Sequence, residues 1–383
     1  MLSKIPLPSH VEKKVQQGYP WLFSHELSHN VPAGELVLLV NQKNAIVASA
    51  LTDSGDIAFR ILGKNPQQIS FVITDRIEQA YRYRQSIVPV QTNCYRLING
   101  EGDELSGIIV DIYDNTAVLR IYANCWLRYL DIIVDTLAKL PNITRVYRKL
   151  GVRNVDNAKG GETLFGTKLP DHLLVEEHGI RFLVRPDVGQ KTGLFLDQRE
   201  HRKIIGGVSH GKTVANLFSY NGGFSVYAAC GGAKRVYSID VAPEAIEDAK
   251  AIFRLNGINP DLHVFEAADA FRWTPPKTDS LDLLICDPPS LSKGKQSDTN
   301  AWNAYTELAK HCAQQISKGS LLATASCTAR LSSKEWEKAI QQGIQPHGQW
   351  SWTWRSYEPM DHPIHLHHGE GRYLKFAMLY KRK

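Results

Sequence analysis

Apolar positions recur along the chain in distinct regimes. Between residues 1 and 72 they come as short runs, GELVLLV, AIVASAL and IAFRIL, broken by the turn-rich NQKN and TDSGD. That pattern predicts the strands of a small barrel. From Phe71 to Arg84 the spacing becomes helical. GIIVDIY and AVLRIY then flank Asp114-Asn115 as a hairpin, WLRYLDIIVDTLAKL has helical spacing, and ITRVYRKL returns as a strand. Together they predict a second α/β unit. HLLVEEHGIRFLVRP predicts a hairpin turning at His178-Gly179. Beyond it, strands expected at 213–218, 235–239, 262–266, 281–286 and 319–326 alternate with helical stretches, the order of a doubly wound parallel sheet.

With 383 residues the chain exceeds one ordinary domain, since domains run to roughly 100–200 residues. We divide it into residues 1–72, 73–184 and 185–383. A charged fraction of 22% and an apolar fraction of 43% describe a globular protein. No stretch approaches the ~18 apolar residues of a membrane span, and MLSKIPLPSHVEKK has no apolar signal core, which points to the cytoplasm. The formal net charge of +6 favours an anionic partner, weakly. Six cysteines form no C-x-x-C pair, so neither zinc nor disulfides are expected.

Candidate chemistry concentrates at the ends of the late strands. TVANLFS runs into YNGGFSVYAACGG, so a glycine pair opens a helix where open α/β sheets bind ligands. RVYSID ends at Asp240, placed for the two hydroxyls of a ribose, and HVFEAAD leads to Asp269, placed for an adenine amine. LDLLIC is followed by Asp287-Pro288-Pro289-Ser290. In this order the acids fit S-adenosylmethionine, with Asn216, Phe218, Tyr220, Gly222, Asp240, Asp269 and Asp287 as its contacts. The prolines cannot donate a backbone N–H, so Pro288, Pro289 and Ser290, with Lys293, suit the flat face of a flipped base. The next strand, SLLATASC, ends at Cys327, expected to share one crevice with Asp287. A thiolate there would attack carbon 6 of a cytosine and make carbon 5 nucleophilic, with Asp287 holding the base edge. Lys293 and Arg330 are the expected cations beside that thiol.

The segments GYPWLFS, YRLINGEGDELSGIIVD, EEHG, KTGLFLDQREHR, NLFSYNGGFSVYA, DPPS, SCT and DHP...GEGRYLK together resemble the bacterial large-subunit ribosomal RNA cytosine-5 methyltransferases that carry an N-terminal PUA domain. The resemblance implies a PUA β-barrel, a central α/β domain and a Rossmann-like class I methyltransferase domain. It further implies S-adenosylmethionine as methyl donor, ribosomal RNA as partner and Cys327 as nucleophile; a homodimer is compatible. Asn221, Ser290 and Thr328 depart from the family pattern. A related guanine-N7 ribosomal RNA methyltransferase group resembles the same segments, and a non-catalytic RNA-binding assembly factor is the third reading. Cys327 favours cytosine.

Four further features carry weaker expectations. KKVQQGYPWLFSHEL interleaves Lys13, Lys14 and His25 with Tyr19, Trp21 and Phe23, which suits RNA stacking as well as a loop packed on the barrel. Glu101, Asp103 and Glu104 in NGEGDELSG fit a flexible solvated loop better than a metal site. His362, His365, His367 and His368 lack the pattern of a metal cage. Trp350, Trp352 and Trp354 alternate, which predicts one shared strand face.

Overall fold

The computed structural model describes residues 2–64, 68–156, 158–291 and 298–382. Two compact units divide the chain: Met1–Glu176 with Val184–Leu196 and Met360–Gly371, and Glu177–Leu183 with Asp197–Pro359 and Arg372–Lys383.

The first unit begins with β1 (Ser3–Pro6), α1 (Ser9–Gln16), β2 (Trp21–Phe23), β3 (Leu36–Val40), β4 (Ile46–Thr52) and β5 (Ile57–Gly63). The strands form one sheet in the order β1-β3-β4-β5-β2. The three predicted strands are β3, β4 and β5. β1 and β2 were not foreseen because four and three residues are too short for period-2 alternation to register. Helix α1 places Val11 and Val15 on the apolar cluster of Leu22, Val37, Leu39 and Phe59. KKVQQGYPWLFSHEL is therefore part helix and part strand, and its aromatic side chains are engaged within the unit. The Lys14 ammonium lies over the Tyr19 and Phe23 rings and pairs with Glu26 at 2.7 Å. Trp21 donates to Ser106 at 2.8 Å, and the Tyr19 hydroxyl to Glu370 at 2.7 Å. Lys13 and His25 remain exposed.

The same unit continues with α2 (Ile69–Ile87), β6 (Cys94–Asn99), β7 (Ile108–Tyr113), β8 (Thr116–Ile121), α3 (Leu130–Ala138), β9 (Arg145–Lys149) and β10 (Gly161–Gly166). The sheet order is β10-β9-β8-β7-β6, packed through Leu97, Val110, Leu119, Trp126 and Val146. The predicted hairpin turns at Asp114, which takes φ 56°.

In NGEGDELSG, Glu104 is exposed, as a solvated loop implies, but Glu101 and Asp103 are held in a part-buried network. The segment's first turn is a short 3-10 helix over Gly100–Asp103, and Asp103 accepts both arms of the fully buried Arg84 guanidinium. Glu101 accepts from Trp21 and Ser106. The histidine-rich stretch belongs to the same network. Arg84 also donates to the Asp361 carbonyl at 2.9 Å, Arg96 N to the Asp361 carboxylate at 3.0 Å, and His362 contacts that carboxylate at 3.0 Å. Gly102 is obligatory there, since a Cβ would lie 1.8 Å from the Pro363 carbonyl oxygen. Among the described residues no His, Cys, Asp or Glu group could hold a metal ion.

Strands β11 (Leu173–Glu177) and β12 (Ile180–Val184) flank His178-Gly179, with φ 49° and 80°, as the hairpin reading requires. The second unit then runs through α4 (Arg199–Val208), β13 (Thr213–Leu217), α5 (Gly223–Cys230), β14 (Arg235–Asp240), α6 (Pro243–Leu255), β15 (Val264–Ala267), β16 (Leu281–Cys286), α7 (Asp298–Gln315), β17 (Ile316–Ser326), α8 (Ser333–Ile344), β18 (Trp350–Ser356) and β19 (Lys375–Lys381). The sheet order is β15-β14-β13-β16-β17-β19-β18. The first five are parallel and β19 is antiparallel to both neighbours. TVANL and LDLLIC are nearly continuous apolar runs because both sheet faces are covered. The strand order reverses between β13 and β16, which opens a crevice at their carboxyl ends.

The tryptophan stripe is broken. A bulge between Trp352 and Trp354 pairs them with the adjacent residues Leu379 and Met378, so the two rings fall on opposite faces. Trp350 and Trp352 pack on the core cluster, whereas Trp354 is exposed. No helix among the described residues is long and apolar enough to cross a membrane.

Candidate active site

Three strand tips carry the glycine turn and the two acids. After β13 the chain turns through Phe218, Tyr220 and Gly222, all at positive φ (59°, 48° and 79°). The Ser219 amide donates to the Ile239 carbonyl at 2.8 Å. Asp240 fastens the turn: Oδ2 accepts from Tyr220 N at 2.8 Å and Oδ1 from Ala242 N at 3.0 Å. One carboxylate thus closes a tight turn just ahead of α6 and fixes the neighbouring loop. Gly222 is required by packing as well, since a Cβ would lie 2.8 Å from that of Ala249 on α6. Asn216 lies beneath this surface, 1% exposed, and donates to Ser225 at 3.0 Å.

Asp269 follows β15 and is exposed, its Oδ1 accepting from Phe271 N at 3.0 Å. Phe218 and Phe271 meet edge to face with centroids 5.0 Å apart. Phe271 is 46% exposed and Val241 76%. Large apolar groups open at adjacent strand tips give a flat ring something to lie against. A carboxylate pinned by backbone amides supplies acceptors for hydroxyls, so this set fits a nucleoside.

The second half of the crevice lies at the tips of β16 and β17. Cys286 pairs in register with Thr324, which sets Asp287 and Ser326-Cys327 at neighbouring ends. Gln198 Nε2 donates to Asp287 Oδ2 at 3.0 Å, and Gln198 Oε1 meets His201 Nδ1 at 2.5 Å. The His201 ring stacks on Phe376 with centroids 4.2 Å apart and planes at 8°. Burial lowers its pKa to about 4, so the ring is neutral near pH 7. Tyr305, on α7, is 1% exposed and lies among Ser326, Cys327, Asp287 and Cys286; burial raises its pKa. Burial also pushes the Cys286 thiol well above its ordinary range, beside Cys312. Cys327 is partly exposed. Lys375 donates to the Thr328 carbonyl. Pro288 is buried, Pro289 exposed and Ser290 intermediate, while Lys293 falls outside the described residues.

The structure therefore brings Phe218, Tyr220, Gly222, Asp240 and Asp269 to one row of strand tips and Asp287 and Cys327 to the adjoining one. Gln198, His201, Val241, Phe271, Tyr305 and Lys375 were not identified from sequence. The first two lie in KTGLFLDQREHR, whose recurrence in the family pattern was the available signal. The same segment supplies Arg202, which holds the buried Glu177 of EEHG with two bonds of 2.8 and 2.6 Å.

A doubly wound sheet with this row of strand tips has the form of a nucleoside-binding fold, and the comparisons specify its kind. Residues 147–331 match the family described as S-adenosylmethionine-dependent methyltransferase, and residues 5–64 a PUA-like domain. A ribosomal RNA large subunit methyltransferase of Deinococcus radiodurans is 32% identical, covering 96% of this chain and 95% of its own. Ribosomal RNA large subunit methyltransferase I of Tolumonas auensis is 30% identical, covering 98% of each. A crystallised protein assigned as a methyltransferase and complexed with SAH superposes with a TM-score of 0.87 at 26% identity, covering 99% of this chain and 100% of its own. The chain belongs to the family of these relatives: it is an S-adenosylmethionine-dependent methyltransferase with a PUA-like domain.

Proposed function

We propose that the protein methylates carbon 5 of a cytosine in large-subunit ribosomal RNA through a covalent adduct with Cys327. The relatives' activity supports the RNA class. The observation that carries the base assignment is the placement of Cys327 beside Asp287 at neighbouring strand ends, with the cation of Lys375 bonded to the next residue's carbonyl. Methylation of guanine N7 uses the ring's own lone pair and needs no protein nucleophile, so it leaves that thiol without a purpose.

In this reading Asp240 takes the ribose hydroxyls, Phe218, Phe271 and Val241 flank the adenine with Asp269 at its edge, and Tyr220 and Gly222 shape the turn beneath the cofactor. Asn216 supports α5 from below. Bound S-adenosylmethionine supplies an electrophilic methyl group. The Cys327 thiolate forms a bond to carbon 6, and the 5,6 double-bond electrons move onto carbon 5. Asp287 holds the base edge while charge develops. After methylation a base takes the carbon-5 proton and its electron pair expels the thiolate. Pro288, Pro289 and Ser290 offer a face and carbonyl acceptors to the flipped base.

Residues 1–72 are assigned to RNA docking, 73–184 to a central α/β domain and 185–383 to chemistry, in a cytoplasmic enzyme. Nucleoside mass spectrometry of ribosomal RNA methylated by the purified protein tests the reading. The expected product is 5-methylcytidine; 7-methylguanosine would replace it with the alternative.

A further inference from the structure

Lys375 stands opposite Ser326 in the β17–β19 register, one residue before Cys327. It is 3% exposed. Its Nζ donates to the Thr328 carbonyl and, at 3.1 Å, to the Tyr373 carbonyl. Both acceptors are neutral, and Lys375 forms no ion pair among the described residues. An ammonium buried against carbonyls alone is costly unless a nearby anion compensates it. Burial lowers its pKa, and the attractions of Glu358 and Cys327 oppose that. Glu358 is already occupied by the Tyr373 and Leu374 amides at 2.8 and 2.7 Å.

We propose that Lys375 is a positioning residue for Cys327: it pins the Ser326–Thr328 turn and supplies the positive charge that holds the thiol as a thiolate. The inference rests on Cys327 being the nucleophile of the proposed reaction. The titratable and charged groups around the same turn are Cys286 at the end of β16 and Asp287 just after it, Tyr305 from α7, Glu358 ahead of β19, and Arg330 in the loop itself. Asp287 and Glu358 disfavour a thiolate, and Arg330 is exposed to water. Lys375 is the buried cation of the set. Lys293, expected in that role with Arg330, lies outside the described residues.

The test is the pH dependence of Cys327 alkylation by iodoacetamide in the full-length protein. Peptide mass mapping separates Cys327 from the exposed Cys230. In the wild type, alkylation should follow a thiol titrating below the ordinary value of about 8.5. Lys375→Met should move that titration upward and slow alkylation at pH 7 roughly tenfold, with Lys375→Arg restoring most of the rate. Cofactor affinity, read by calorimetry, should stay within about threefold and confirms that the Met variant is folded. An unchanged profile in Lys375→Met overturns the proposal. So does a wild-type thiol titrating at or above about 8.5, a measurement that needs no variant. Alkylation does not depend on methyl transfer, so failure of the cytosine assignment leaves this outcome readable.

Discussion

Gln198 donates its amide to Asp287 Oδ2 across 3.0 Å, and His201 fixes which end of the amide does so. With Oε1 engaged by His201 Nδ1, a flipped Gln198 would set its oxygen against the carboxylate. The neutral ring must then carry its proton on Nδ1. Stacking on Phe376 holds that ring in plane.

Loss of this donor should loosen the hold on the Asp287 carboxylate. We predict that Gln198→Leu lowers the single-turnover methyl-transfer rate roughly tenfold to a hundredfold, the scale of small misplacements at a reacting centre. Gln198→Glu should cost more, because it opposes two carboxylates. A Leu variant working at the wild-type rate would remove Gln198 from the machinery.

His201 predicts a pH dependence of stability. Its folded pKa of about 4 lies below the unfolded value of about 6.5. Between these values the unfolded chain binds the extra proton, so stability falls as pH drops from about 6.5 toward 4. The loss is on the order of 3 kcal/mol. Urea unfolding at pH 7 and pH 5 should show the decline, and His201→Gln should flatten it. Equal slopes in both proteins would contradict the assignment.

Asp240→Ala should weaken S-adenosylmethionine binding at least tenfold. Charge-assisted bonds are worth about 1.5–3 kcal/mol each, and the same change releases the Tyr220 amide. Calorimetry decides the point, and unchanged affinity would place the ribose elsewhere.

Much of the second unit was legible in the sequence because its strands are apolar runs separated by helical periods, and strand ends in such a sheet collect functional residues. The positions of Asp240, Asp287 and Cys327 at strand ends followed from that order. Lys375 did not, since an antiparallel strand from the chain's end reaches the site only through tertiary pairing. Nor did the fate of Asp103, whose polar neighbourhood reads as solvated until Arg84, buried on α2, is seen to face it. The tryptophan stripe failed for a local reason. One bulged residue inverts a strand's alternation, and no composition signal marks it.

The most direct test of the account is trapping with ribosomal RNA carrying 5-fluorocytosine. Fluorine at carbon 5 cannot leave as a proton, so the reaction should stall after methyl transfer, at the elimination step, with the Cys327 sulfur still bonded to carbon 6. The account predicts a protein–RNA adduct that survives denaturing electrophoresis and maps to Cys327. It should disappear in Cys327→Ala together with methylation, and persist in Cys286→Ala and Cys312→Ala. Full methylation by Cys327→Ala, with no adduct from the wild type, would contradict it.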